Sequence, residues 1–106
     1  MAACVGGHLE SVKLLLNKGA DVQAVDQDGL SAIMNAAENG STSVVNYLID
    51  NGASPTNMSS TGFTPLIVAA AGGHLGVVEL LIGKGASVDE MHTEGVNALM
   101  YALMLL

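Results

Sequence analysis

Several groups of residues in this chain have the types that chemistry needs. Gly72, Gly73 and Gly76 crowd together in the stretch TGFTPLIVAAAGGHLGVVELLIGKGASV, residues 61–88, as glycines do where backbone N–H groups cradle a phosphate. A phosphate loop follows a strand and ends in a lysine followed by Ser or Thr, and this stretch has neither. His8 and His74 share a Gly-Gly-His-Leu context, and His92 lies close to Glu94. Two ligands from one loop leave a zinc ion short of the four it takes, and the other two histidines stand far apart in the chain. A corner hydrogen bond is the expected role of His8 and His74. Asp26-Gln27-Asp28-Gly29 resembles the start of a calcium loop, but its glycine comes too early and Ala37 stands where the bidentate glutamate belongs. Serines, histidines and acids are all present without the spacing of a nucleophile elbow or a catalytic dyad. We therefore expect no enzyme, with no catalytic residues, no metal ligands and no cofactor. The single cysteine, Cys4, is expected to be a small core residue.

Composition narrows the field from the other side. The chain has 106 residues, half of them hydrophobic, and a net charge of −7 with only three lysines and no arginine. One domain is the expectation at this length. Nucleic acid and anionic membrane both need a basic footprint, so neither is an expected partner. One cysteine forms no internal disulfide and no signal segment opens the chain, which predicts an intracellular setting, with the cytoplasm as the default compartment. Two short matches to the glycosylation pattern, Asn39-Gly40-Ser41 and Asn57-Met58-Ser59, carry little against that. No stretch reaches the roughly 20 apolar residues of a membrane-spanning helix.

What must position these residues is a repeat. Shifted by 33 residues, the sequence matches itself without a gap: Gly7, Gly40 and Gly73 align, as do Gly19, Gly52 and Gly85, and Gly29, Gly62 and Gly95. These columns hold nine of the thirteen glycines, so the glycines punctuate rather than bind. Further columns are Ala3, Ala36, Ala69 and Ala102, then Val12, Val45 and Val78, then Leu15, Leu48 and Leu81. In the clearest copy Thr64 caps a helix and Pro65 occupies its first turn. Leu66, Ala69 and Ala70 give that helix a slim apolar face, and Gly72-Gly73 end it. A second helix begins near His74, with Leu75, Val78, Leu81 and Ile82 as its apolar positions, and closes at Lys84-Gly85. A hairpin-like excursion through Gly95 then leads to the next helix. Two helices this short bury little alone, so the units must stack into a continuous core.

These residues resemble the ankyrin repeat, whose pattern G-x-T-P-L-x-x-A-A-x-x-G-H-x-x-V-V-x-x-L-L-x-x-G-A runs through residues 62–86 nearly position for position. The resemblance covers essentially the whole chain: a partial repeat over 1–25, full repeats over 26–58 and 59–91, and a partial one over 92–106. It implies an all-α solenoid of helix-turn-helix units with projecting hairpin-like fingers, and protein–protein binding rather than catalysis. The histidine of the family's Thr-Pro-Leu-His is replaced by Met34, Ile67 and Met100, so apolar packing is expected where an imidazole would tie neighbouring repeats. Neither end carries a capping unit, and we expect a fragment of a longer array, with self-association through the ends as an alternative. A structural or regulatory spacer inside a larger channel or enzyme is the other alternative.

In such arrays fingers and inner helices line a concave face, and positions that differ between copies are the expected contacts. Here they are Gln27, Ser60 and Thr93; Asp28, Thr61 and Glu94; Leu30, Phe63 and Val96; and Met58 and Met91. Leu30, Phe63 and Val96 form an apolar stripe suited either to a partner's side chains or to packing between fingers. Asp21, Asp26 and Asp28 on one finger, and Asp89, Glu90 and Glu94 on another, make that face acidic, while all three lysines fall in the outer helices. A basic or mixed basic–apolar protein segment is the expected partner.

Overall fold

The computed structural model describes residues 2–88, with side chains from Leu9 to Val88. Within that range five helices succeed one another: α1 (Ala2–Asn17), α2 (Ala32–Asn39), α3 (Thr42–Asp50), α4 (Pro65–Ala71) and α5 (Leu75–Gly83). They form two layers. The inner helices α2 and α4 pack side by side, each backed by its own outer helix, α3 or α5, and α3 joins α1 to α5 in the outer layer.

Small residues on the inner helices allow this closeness. Ile33, Ala36 and Ala37 of α2 and Leu66, Ala69 and Ala70 of α4 are all buried, in one core with Val44, Val45 and Leu48 of α3 and Val77 and Leu81 of α5. Met34 and Ile67 are also buried to within 1%, so apolar side chains do fill the positions where the family motif has histidine. On α5 the expected face shifts: Val77 and Leu81 are buried, whereas Leu75 and Ile82 are exposed. A helix with one fully covered edge keeps an i, i+4 pair inside, and position 75 lies at the helix entrance, beyond that edge.

Helix ends follow the local sequence. Thr64 Oγ1 accepts a hydrogen bond from Ile67 N at 3.2 Å and Pro65 fills the first turn, as expected. Lys84 is the C-cap of α5, followed by Gly85. At the corner after α2, Gly40 turns left-handed at φ 75°, which lets Ser41 N–H reach Ala36 O. A side chain there would be strained in backbone terms.

One expectation fails. Gly7 occupies the column of Gly40 and Gly73, yet α1 runs through Gly6 and Gly7 as one helix of 16 residues. The corners at 40 and 73 are held by the next helix folding back on its neighbour, whereas α1 packs chiefly on α3.

Between α1 and α2, and again between α3 and α4, the chain makes tight finger turns. Val25 and Ser31 form an isolated antiparallel bridge, and Asp26 N–H donates to Leu30 O at 2.9 Å. In the next finger Ser59 N–H donates to Phe63 O at 2.7 Å. Asp26 Oδ1 accepts from the N–H of Asp28 and of Leu30, and Ser59 Oγ accepts from that of Phe63. The two side chains, 33 residues apart, thus brace equivalent turns.

Among the described residues, three side chains reach across from one unit to the main chain of another. Gln23 Nε2 donates to Gly52 O at 2.6 Å, Ser60 Oγ to Asp28 O at 3.2 Å, and His74 Nε2 to Glu38 O at 2.7 Å. The last is the corner hydrogen bond expected of His74. Its ring lies so close to two glycines that a Cβ at Gly40 would sit 2.5 Å from Nδ1, and one at Gly72 would sit 2.6 Å from Cδ2. The side chain of His8 lies outside those described.

Candidate functional site

The finger turns and the inner helices bring Leu30 and Phe63 onto one face, because each closes its turn and stands two residues before an inner helix. Both are half-buried. Phe63 packs partly on the core, while its remaining surface looks outward beside Leu30. Two hollows meet at this pair. The first, about 340 Å³, is lined by Leu30, Met34, Glu38, Phe63, Val68, Ala71 and Gly72. The second, about 410 Å³, lies toward the fingertips and is lined by Gln27, Asp28, Leu30, Ser60, Thr61 and Phe63.

Of the positions singled out in the sequence, Gln27, Asp28, Leu30, Ser60, Thr61 and Phe63 therefore share one hollow. Met58 is half-exposed and lines neither. Met91, Thr93, Glu94 and Val96 lie outside the described residues, as do His92, Asp89 and Glu90. From the inner helices Glu38, Val68 and Ala71, with Gly72 at the corner, also line the first hollow, whereas Asn35 and Asn39 line a different hollow beside α1.

The charge on this face is acidic. Asp28 and Glu38 each belong to one of the two hollows, and no lysine lines either. Lys13 lies on α1, where it pairs weakly with Glu10 at 3.9 Å and stands 5.5 Å over the Tyr47 ring. Lys18 and Lys84 stand at the ends of outer helices. Asp26 is a qualified member of the acidic group, since its carboxylate is engaged in bracing its own turn.

Sequence reasoning missed how tightly the fingers themselves are joined. A Cβ on Gly29 would come within 2.9 Å of Ser60 N, so the two fingertips touch through backbone. The signal was available in the column Gln27, Ser60 and Thr93, where a short hydroxyl stands opposite the neighbouring turn. Among the described residues no group of three His, Cys, Asp or Glu side chains converges, and no helix is long and apolar enough to cross a membrane. What the face offers is an apolar ridge between two shallow acidic hollows, a geometry for holding side chains.

Comparison with protein families bears on the whole of this arrangement. A family model described as ankyrin repeats, in three copies, fits residues 1–92 and, in a second placement, residues 55–105.

Proposed function

The chain belongs to the ankyrin-repeat family, whose members are in general protein–protein interaction modules, and from that premise we propose that it is a non-enzymatic binding module. It holds a segment of a partner protein along the face formed by the fingers and by α2 and α4. The observation that carries this reading is the Leu30–Phe63 ridge shared by two hollows, each with one acid on its wall. The partner that fits is a mixed basic–apolar segment: apolar side chains against Leu30 and Phe63, and cations toward Asp28 and Glu38. Gln27, Ser60 and Thr61 supply hydrogen-bonding groups at the rim. Met91, Thr93, Glu94 and Val96 continue the same columns and extend the contact, with Met58 at its margin.

The test is a selection of displayed peptides against the intact chain. Winning peptides are then measured against Leu30→Ser and Phe63→Ala forms whose helicity has been checked. Each substitution is expected to weaken binding by about 1–3 kcal/mol, the usual worth of an apolar anchor at an interface. Peptides that bind the substituted forms as well as the original would place recognition elsewhere and end this proposal.

A further inference from the structure

Glu38 is a carboxylate in an unfavourable place. It stands in the last turn of α2, where the helix dipole presents its negative end and a cation is the favoured side chain. It is exposed, and the ion pair found among the described residues is that of Lys13 with Glu10, on α1. The repeat does not call for an acid here, since Val5 and Ala71 fill the same column. Asp26, by contrast, uses its carboxylate to hold two N–H groups of its own turn.

The hollow that Glu38 borders is a slot. Of about 340 Å³, it has Leu30 and Phe63 at its finger end, Met34 and Val68 midway, and Glu38, Ala71 and Gly72 at its corner end. That order follows from the chain, because α2 and α4 each leave a finger and end at a corner. From Met34 to Glu38 is about one helical turn, roughly 6 Å at the usual rise per residue, which a side chain of three or four methylenes spans. Two helix ends make the corner end electronegative. The end of α4 lies so near that of α2 that a Cβ on Gly72 would stand 3.6 Å from Glu38 O, and among the described residues no N–H donates to Ala71 O or Gly72 O.

We propose that this slot is the subsite for one arginine of the partner segment, a reading that rests on the binding face proposed above. The arginine enters over the Leu30–Phe63 ridge, lays its methylenes along Met34 and Val68, and brings its guanidinium to Glu38. An apolar stem on an apolar wall with the charged head at its rim is how long basic side chains are accommodated. Arginine fits better than lysine, because its planar fork engages a carboxylate through two bonds and keeps further donors for the carbonyls at the end of α4. Binding thus supplies the cation that the end of α2 lacks.

The second hollow is not equipped in this way. Its acid, Asp28, sits in a finger turn beside no helix C-terminus, and its other polar walls, Gln27, Ser60 and Thr61, are neutral. The two acids of the face are therefore unequal. Glu38 selects a particular side chain, whereas Asp28 adds only to the general attraction for basic segments.

Peptides selected by display against the intact chain supply the probe. Those that need Leu30 and Phe63 are expected to carry an arginine at a fixed distance from their apolar residues. Replacing it with citrulline, which keeps the shape and removes the charge, should weaken binding about tenfold, and Glu38→Gln should do the same. In the Glu38→Gln form the citrulline replacement should cost about twofold or less, because both changes break one pair. Lysine in place of the arginine should cost about threefold, and Asp28→Asn should leave the arginine's effect standing. Glu38→Gln keeps the main-chain carbonyl that His74 holds, and urea unfolding checks that the fold is unchanged. Ridge-dependent peptides that lack an arginine, that accept lysine without loss, or whose arginine effect survives Glu38→Gln overturn this proposal and leave the binding face standing. Peptides indifferent to Leu30→Ser and Phe63→Ala end both.

Discussion

Ser31 and Thr64 stand 33 residues apart at the same place in their units, the residue before an inner helix. Both are buried, at 1% and 0% exposure. Thr64 Oγ1 accepts a hydrogen bond from Ile67 N, while Ser31 Oγ is buried with no partner. Replacing each with alanine should therefore act in opposite directions. Thr64→Ala removes a capping bond, about 1 kcal/mol, and a buried methyl group, about 0.8 kcal/mol, for a loss of about 2 kcal/mol. Ser31→Ala removes a hydroxyl whose desolvation is not offset, so the change should fall between neutral and about 1 kcal/mol more stable. The gap of about 2–3 kcal/mol corresponds to melting temperatures about 10–15 °C apart in a domain of this size. Urea unfolding followed by circular dichroism measures both, with unchanged m-values as the check that the denatured state is the same. Equal destabilisation by the two substitutions would refute the reasoning, since it would mean that Ser31 caps α2 as Thr64 caps α4.

Other substitutions test the corner and the turns. Gly40→Ala places a Cβ against the His74 ring in a left-handed residue, and should cost about 2–4 kcal/mol in urea unfolding. Gly19→Ala, left-handed at φ 94° with open space around it, should cost only the backbone strain, about 1–2 kcal/mol. His74→Ala should cost about 1–2 kcal/mol, and its effect should add incompletely to that of Gly40→Ala in a double-mutant cycle, because both break one bond. Asp26→Ala removes the acceptor for two turn N–H groups and should cost about 1–2 kcal/mol, with faster amide exchange at Asp28 and Leu30 as the local readout.

Where a position's role is set by its neighbours in sequence, it was legible from the sequence. Thr64-Pro65 opening α4, Lys84-Gly85 closing α5, and the alanine columns between inner helices are local chemistry repeated at a fixed period. Roles set by contact with another unit were not. His74 could be read as a corner residue, but the identity of its acceptor, Glu38 O, depends on how the units stack. Asp26 read as surface charge because its fold into a turn is not visible from composition. Val77 rather than Leu75 lies inside because the packing of α5 on α3 and α4 selects among apolar residues that periodicity treats alike. The face around Leu30 and Phe63 came from comparing copies, whereas its division into two hollows needed the relative placement of fingers and helices.

Two of the side-chain links between units end on the main-chain carbonyls of Asp28 and Glu38, the same residues whose side chains give the two hollows their charge. A carbonyl is present whatever the residue, so the link is indifferent to the side chain it bypasses. In the proposed binding mode, joining units and meeting a partner fall to different atoms of one residue at these two positions. Charge on this face is thus open to revision without loosening the stack: Glu38→Lys would reverse the sign of one wall and leave the His74 acceptor in place. In that binding mode, an array built in this way changes what it recognises by single substitutions at points that are, in backbone terms, its joints.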